Sequence, residues 1–271
     1  MITILDGPVG SLLPELSVAT PAPLWSAAAI EGAPEVLRRV HTMYTSAGAS
    51  VHTACTFRTN RRKAGPAWER LTREAVRIAR EAVPEGQRVA GSLAPVEDCY
   101  RPDLSPADPR PEHREMARAL AAAGVDLILC ETFPHVGEAW VAVEEAVASG
   151  LPVWASFTAG PDATLLSPED MESAARGAVA RGAVAVMVNC TAASRTLPYV
   201  QALAAALPAG VPFGAYANAG GAGDWNAQDA EAVERYMACA RAWVQAGATL
   251  VGSCCGTGPA HIAELAREFG G

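Results

Sequence analysis

Two cysteines stand side by side in the stretch VGSCCGTG, Val251–Gly258, between glycines and at the end of an apolar run. Thiols placed like this could form a vicinal disulfide, sit as small buried hydrophobes, or bind a soft metal. The disulfide is strained, because neighbouring Cα atoms lie about 3.8 Å apart whereas a relaxed bridge spans about 4.4–6.8 Å. Seven cysteines are an odd number in a chain of 271 residues. The opening MITILDGPVG has neither a basic region nor a long apolar one, so no secretory signal is visible. Both features fit a reducing, cytoplasmic location, with thiols that are free or metal-bound.

Metal binding by Cys254 and Cys255 needs further ligands and elements that converge on them, and the chain supplies candidates for both. Eight short apolar stretches recur, each followed by Gly, Asn, Pro or Thr and then by a segment of helical periodicity. They are Ile2–Leu5, Ser50–Cys55, Arg88–Leu93, Val125–Cys130, Pro152–Phe157, Val184–Asn189, Pro212–Ala217 and Ala248–Ser253. Helices are predicted over Pro34–Ala47, Ala67–Ala82, Pro111–Ala123, Val136–Ala148, Pro168–Arg181, Arg195–Ala206, Ala227–Ala246 and Pro259–Phe269. Ser167 before Pro168 is a candidate N-cap, and glycines close several of the others. Strands alternating with helices, with no low-complexity linker, argue for a parallel α/β architecture. The eightfold count points to one (β/α)8 TIM barrel spanning residues 1–271. An open doubly wound sheet is disfavoured, since AGGAGDW, Ala219–Trp225, lacks the spacing of a dinucleotide fingerprint. Val96–His113 is the longest irregular connection, a surface loop beyond the third strand.

In such a barrel the carboxyl ends of the strands face one pocket. Those ends carry Asp6-Gly7, Thr56-Phe57, Gly91-Ser92, Glu131-Thr132, Asn189-Cys190, Tyr216 with Asn218, and Cys254-Cys255. Cys190 thus joins the pair from a strand two positions away in the ring. Three soft thiolates suit Zn²⁺ and leave one tetrahedral position for water or substrate. Gly252 and Gly256 would give the backbone the freedom to aim adjacent side chains at one ion. Cys55, Cys99, Cys130 and Cys239 are expected to be small buried hydrophobes.

Other chemistries find little support. The five histidines form no HxH or HExxH pattern, Lys63 is the only lysine and lies past a strand end, and neither a G-x-S-x-G elbow nor a P-loop occurs. A formal net charge of −8 argues against a nucleic-acid partner. The basic run RTNRRKAG, Arg58–Gly65, reads as a solvated loop. No run of about 18 apolar residues marks a membrane span. Oligomeric state is not fixed by these features, and a homo-oligomer stays open beside a monomer.

Taken in order, seven segments resemble the zinc-dependent homocysteine S-methyltransferase family: ILDGPVGSLL, the stretch from PLWSAAAIEG to HTACTFRTN, VAGSLAP, DLILCETF, VNC, YANAG and GSCCGT. The resemblance covers nearly the whole chain and implies a (β/α)8 barrel. It also implies that Cys190, Cys254 and Cys255 hold zinc, that Asp6, with Gly7, and Glu131 engage the amino group of a homocysteine-like acceptor, and that Trp25 lies over the pocket. Thr56 at the end of strand two is implied as a substrate contact and Asn218 as an oxygen ligand when substrate is absent. The chain departs from the family pattern at Ala54-Cys55-Thr56-Phe57, where many members read TNTF, at Ala217 for a proline, and at Ser253 for a glycine.

The implied reaction is an in-line displacement by a zinc-bound thiolate on the methyl of an onium donor. A free thiol is only a few per cent ionised at pH 7, so complete ionisation contributes at most ~30-fold. Alignment of sulfur, methyl and leaving group must supply the rest. The small-molecule partners are then a thiol acceptor, homocysteine, and a sulfonium donor, S-methylmethionine or S-adenosylmethionine. Alternatives are betaine as donor, another thiol or selenol as acceptor, and a barrel whose metal is structural.

Overall fold

The computed structural model describes residues 2–220 and 229–270. Eight parallel strands run as β1 (Thr3–Ile4), β2 (Val51–Ala54), β3 (Arg88–Leu93), β4 (Leu127–Phe133), β5 (Val153–Phe157), β6 (Ala185–Ala192), β7 (Phe213–Asn218) and β8 (Leu250–Ser253). Their order in the sheet is β1-β8-β7-β6-β5-β4-β3-β2, and a parallel bridge from Leu5 to Val51 joins the two ends. The result is a (β/α)8 TIM barrel. Eight helices follow the strands: α1 (Pro34–Ser46), α2 (Trp68–Ala82), α3 (Arg110–Ala123), α4 (Val136–Val147), α5 (Pro168–Ala180), α6 (Ala193–Ala206), α7 (Ala230–Gln245) and α8 (Pro259–Phe269). The expected start of α7 at Ala227 and most of the AGGAGDW stretch lie outside the described residues.

Strict alternation along the strands builds the barrel. In β4, Leu127 and Leu129 point into a cluster that fills the barrel with Leu5, Val51, Trp154, Met187 and Tyr216, while Ile128 and Cys130 join the larger core under the helices. The interior below the strand ends is therefore packed side chain, not a pore, and it forms a rigid floor for whatever sits above. Ser167 caps α5 as predicted, its Oγ accepting from the Asp170 amide at 3.1 Å. No helix among the described residues is long and apolar enough to cross a membrane.

Two strands run further than their apolar patterns indicate. β4 continues past Cys130 to Phe133, and β6 past Asn189 to Ala192, each with a register shift at the extension. The loop after β3 is also shorter than expected, because helix α3 begins at Arg110. It is tied down from below: buried Glu138 on α4 accepts from the Val96 amide at 2.8 Å and lies 3.2 Å from His113 Nε2. That tether holds Cys99 and Tyr100 over the barrel mouth.

Candidate metal and substrate site

Alternation alone would aim Cys190 away from the barrel axis. Asn189 points inward, where its Oδ1 accepts from Ser156 Oγ at 2.8 Å, so the next residue should face the helices. A bulge re-aims it. Cys190 has φ of +51° and Thr132, at the matching irregularity in β4, has φ of +63°. Non-glycine residues hold such a backbone only when their surroundings impose it. Asn189 does so, accepting from the Thr132 amide at 3.1 Å and donating to Thr132 Oγ1 at 2.8 Å. Asn189 thus bolts the two bulges together, a role with no trace in its residue type. Asn189→Ala should lower unfolding free energy by about 2–4 kcal/mol and weaken metal retention; denaturant titration and a metal-competition assay would show it, and unchanged values in both would refute the role.

From the end of β8, two strands round the ring from β6, come Cys254 and Cys255. The Cys254 amide extends the ladder by donating to the Ala217 carbonyl at 2.7 Å, and the chain then turns through Gly256 at φ of +78°. Glycine at 252 answers a different need: a Cβ there would come within 2.7 Å of Leu5 Cβ. Cys190 Sγ and Cys254 Sγ are 2.9 Å apart, and all three sulfurs lie within 4.8 Å of one another. Thiolate–metal bonds of about 2.3 Å in tetrahedral geometry set sulfur–sulfur edges of about 3.8 Å, so the trio fits one soft ion once the Cys190 and Cys254 sulfurs move apart by about 1 Å. Without a cation the three cannot all ionise. Hydrogen bonds from Cys190 and Cys254 hold the Cys255 thiol well below its usual range. Cys254 is pushed up by its contacts with Cys190 and then Cys255, and Cys190 is raised despite its bond to Cys254. A bound dication removes that repulsion.

Next to the sulfurs, in the same cavity of about 660 Å³, are two buried carboxyls. Asp6 accepts from the Thr53 amide at 2.8 Å and from Thr53 Oγ1 at 3.1 Å. Burial nevertheless pushes its pKa up to about 8, with the Glu131 charge adding to the shift. Glu131 accepts from Ser92 Oγ at 2.5 Å and Tyr216 OH at 2.9 Å, and burial raises it too. Carboxyls held this way gain charge readily only when a cation joins them. Gly7 lines the cavity and Tyr44 packs against it so closely that a Cβ would come within 2.7 Å of the ring. Trp25 forms part of the wall, edge-on to Phe57 with ring centroids 6.2 Å apart, and its indole fills the space where a side chain on Gly10 would go.

Two expected contacts fall elsewhere. Thr56 is not in the cavity wall: strand β2 ends at Ala54, the chain turns, and the Thr56 hydroxyl donates to the Ser92 carbonyl at 2.9 Å. Thr53, three residues earlier, is the threonine that faces the site. Asn218 ends β7, paired through its backbone with Ala192, but its buried carboxamide is not in the cavity wall and has no hydrogen-bond partner among the described residues. Conversely, Cys55 and Cys99, expected merely to pack, both line the cavity. Burial pushes their thiols up to about 11 and about 12, so both stay protonated at neutral pH.

Comparison with known proteins places this arrangement. Residues 3–269 match the family model for homocysteine S-methyltransferase. The homocysteine S-methyltransferase of Escherichia coli strain K12 is 30% identical, over 97% of this chain and 94% of its own length. Homocysteine S-methyltransferase 4 of Zea mays is 29% identical, over 97% of this chain and 88% of its own. Among solved structures, the metallated form of the E. coli homocysteine methyltransferase MmuM superposes with a TM-score of 0.82 at 28% identity, covering 98% of this chain and 96% of that one. The family match runs from β1 through α8 and so takes in every strand end that brings a sulfur or a carboxyl to the cavity: this chain belongs to the homocysteine S-methyltransferase family.

Proposed function

We propose that this S-methyltransferase moves a methyl group from a sulfonium donor, S-methylmethionine or S-adenosylmethionine, to the sulfur of homocysteine, giving methionine, with zinc on Cys190, Cys254 and Cys255. The observation that carries the reading is the meeting, in one cavity, of three converging thiols and two buried carboxyls that have no basic partner among the described residues. Zinc bound to the three sulfurs would supply a fourth position at which the acceptor thiol is held as thiolate at neutral pH.

The remaining work falls to the chain itself. Asp6 and Glu131 receive the acceptor's ammonium group, the first oriented by Thr53 and the second by Ser92 and Tyr216. Trp25 and Phe57 line the cavity with aromatic surface, which attracts an onium donor. A cavity of about 660 Å³ has room for both substrates. Held in line, the acceptor sulfur forms a bond to the methyl carbon as the donor's sulfur–methyl bond breaks. That electron pair stays on the departing sulfur, which leaves as a neutral thioether, and the thiol proton goes to solvent. Orientation contributes more than ionisation, which is limited to ~30-fold.

A matrix of acceptors (homocysteine, cysteine, selenohomocysteine) against donors (S-methylmethionine, S-adenosylmethionine, betaine), read by product mass, tests this. Methionine should form from homocysteine with a sulfonium donor, on protein carrying about one zinc per chain. Turnover with betaine alone, or methylation only of another thiol, would replace the substrate assignment. The odd number of cysteines and the gathering of three of them at a metal position support a cytoplasmic location.

A further inference from the structure

The basic run after β2 divides in the structure. Arg61 pairs with Glu115 at 2.9 Å, Arg62 with Glu97 at 2.7 Å and Lys63 with the other Glu97 oxygen at 2.9 Å. Arg58 is left over. It stands in the cavity wall, its guanidinium 5.8 Å from the Phe57 ring centroid. Its Nε is buried with no hydrogen-bond partner, and Arg58 makes no ion pair with any of the described residues. Asp98, also in the wall, has its Oδ1 engaged by the Tyr100 amide at 2.8 Å. Lys63, the other cation lining the cavity, is neutralised by Glu97.

An arginine stays charged at any physiological pH, and its planar fork matches a carboxylate. Leaving a buried N–H unsatisfied is unfavourable, so an unpaired guanidinium at the edge of an otherwise acidic cavity points to a missing anion. Thiols and carboxyls make the rest of the site a place for cations. A molecule with an ammonium at one end and a carboxylate at the other satisfies both.

We propose that Arg58 recognises the α-carboxylate of an amino-acid substrate in this cavity and so sets its specificity for free amino acids. The inference rests on the amino-acid substrates of the preceding reading. Acceptor and donor both carry such a group, and the two are separable by experiment. Arg58 touches neither the sulfurs nor the transferred methyl in this assignment.

Calorimetric titration of the zinc-loaded protein with methionine and methioninamide, and with S-methylmethionine and its amide, measures recognition without requiring turnover. Arg58→Gln should weaken binding of at least one carboxylate form by about 10- to 100-fold while its amide changes less than threefold, and Arg58→Lys should recover part of the loss. A selective loss for methionine assigns the acceptor's carboxylate, and one for S-methylmethionine the donor's. Equal shifts for acid and amide in both pairs, or no shift in either, would overturn the assignment. Methyl transfer by the wild-type protein is scored separately, so the reaction can stand while the role of Arg58 falls. A melting curve for each variant guards against misfolding.

Discussion

Cys190→Ala is expected to strip the protein of its metal and to lower methyl transfer by at least about 10³-fold. Two neighbouring cysteines cannot hold a tetrahedral ion with the stability of three, and Cys190 is the one ligand that comes from a different strand end, that of β6. Loss of ionisation accounts for ~30-fold at pH 7; the remainder reflects an acceptor sulfur no longer fixed in line with the methyl. Metal content by mass spectrometry, measured beside turnover on the same sample, shows whether the rate is lost with the metal. Cys190→Ser keeps the bulge and the size of the side chain but offers a poor ligand for a soft ion, so it should fail like the alanine variant. A metal-free Cys190→Ala protein working at the wild-type rate would end the assignment.

The sequence showed the barrel through one property, the switch between period-two and helical patterning, repeated often enough to be counted. It showed the strand ends for the same reason, and Asp6, Glu131 and the three cysteines all stand at such ends. Their aim was less visible. With Asn189 pointing inward, alternation sends Cys190 outward, and only the hydrogen bonds of Asn189 to Thr132 and Ser156 reveal the bulge that turns it back. Thr56 misled because β2 ends at Ala54: beyond the last ladder bond the chain turns, and counting by twos no longer tells inside from outside. The basic run is a similar case. Arg61, Arg62 and Lys63 are matched by acids from the loop after β3 and from α3, while Arg58 is not, and no local pattern distinguishes the four. What the sequence hides are pairings between residues far apart along the chain.

Glu131→Gln should raise KM for homocysteine by about 10²- to 10³-fold, the usual consequence of removing one partner of a buried charge pair, and should leave the metal in place. The neutral amide retains the shape of the carboxylate and can still accept from Ser92 or Tyr216, so the loss reports the charge. The wild-type pH dependence has a definite sign. Burial pushes Asp6 up to about 8 in the absence of ligand, and Glu131 is raised for the same reason. An ammonium group lodged between them favours the ionised forms, so below about pH 8 binding must expel a proton. Affinity for the amino acid therefore strengthens up to tenfold per unit as pH rises toward 8 and then levels off. The empty protein behaves in the opposite sense: its unfolded carboxyls ionise near pH 4, whereas in the folded chain Asp6 ionises only near pH 8 and burial raises Glu131 as well, so stability falls as pH rises through that interval and is not recovered above it. Glu131→Gln should reduce this fall, so the variant that binds homocysteine poorly should melt higher than the wild type at pH 8. Methionine, which has no thiol to lose a proton, is the ligand to use, titrated in two buffers of different ionisation enthalpy. Binding heats that are the same in both buffers at pH 6.5 would mean that no proton leaves, and that the carboxyls do not face the ammonium group.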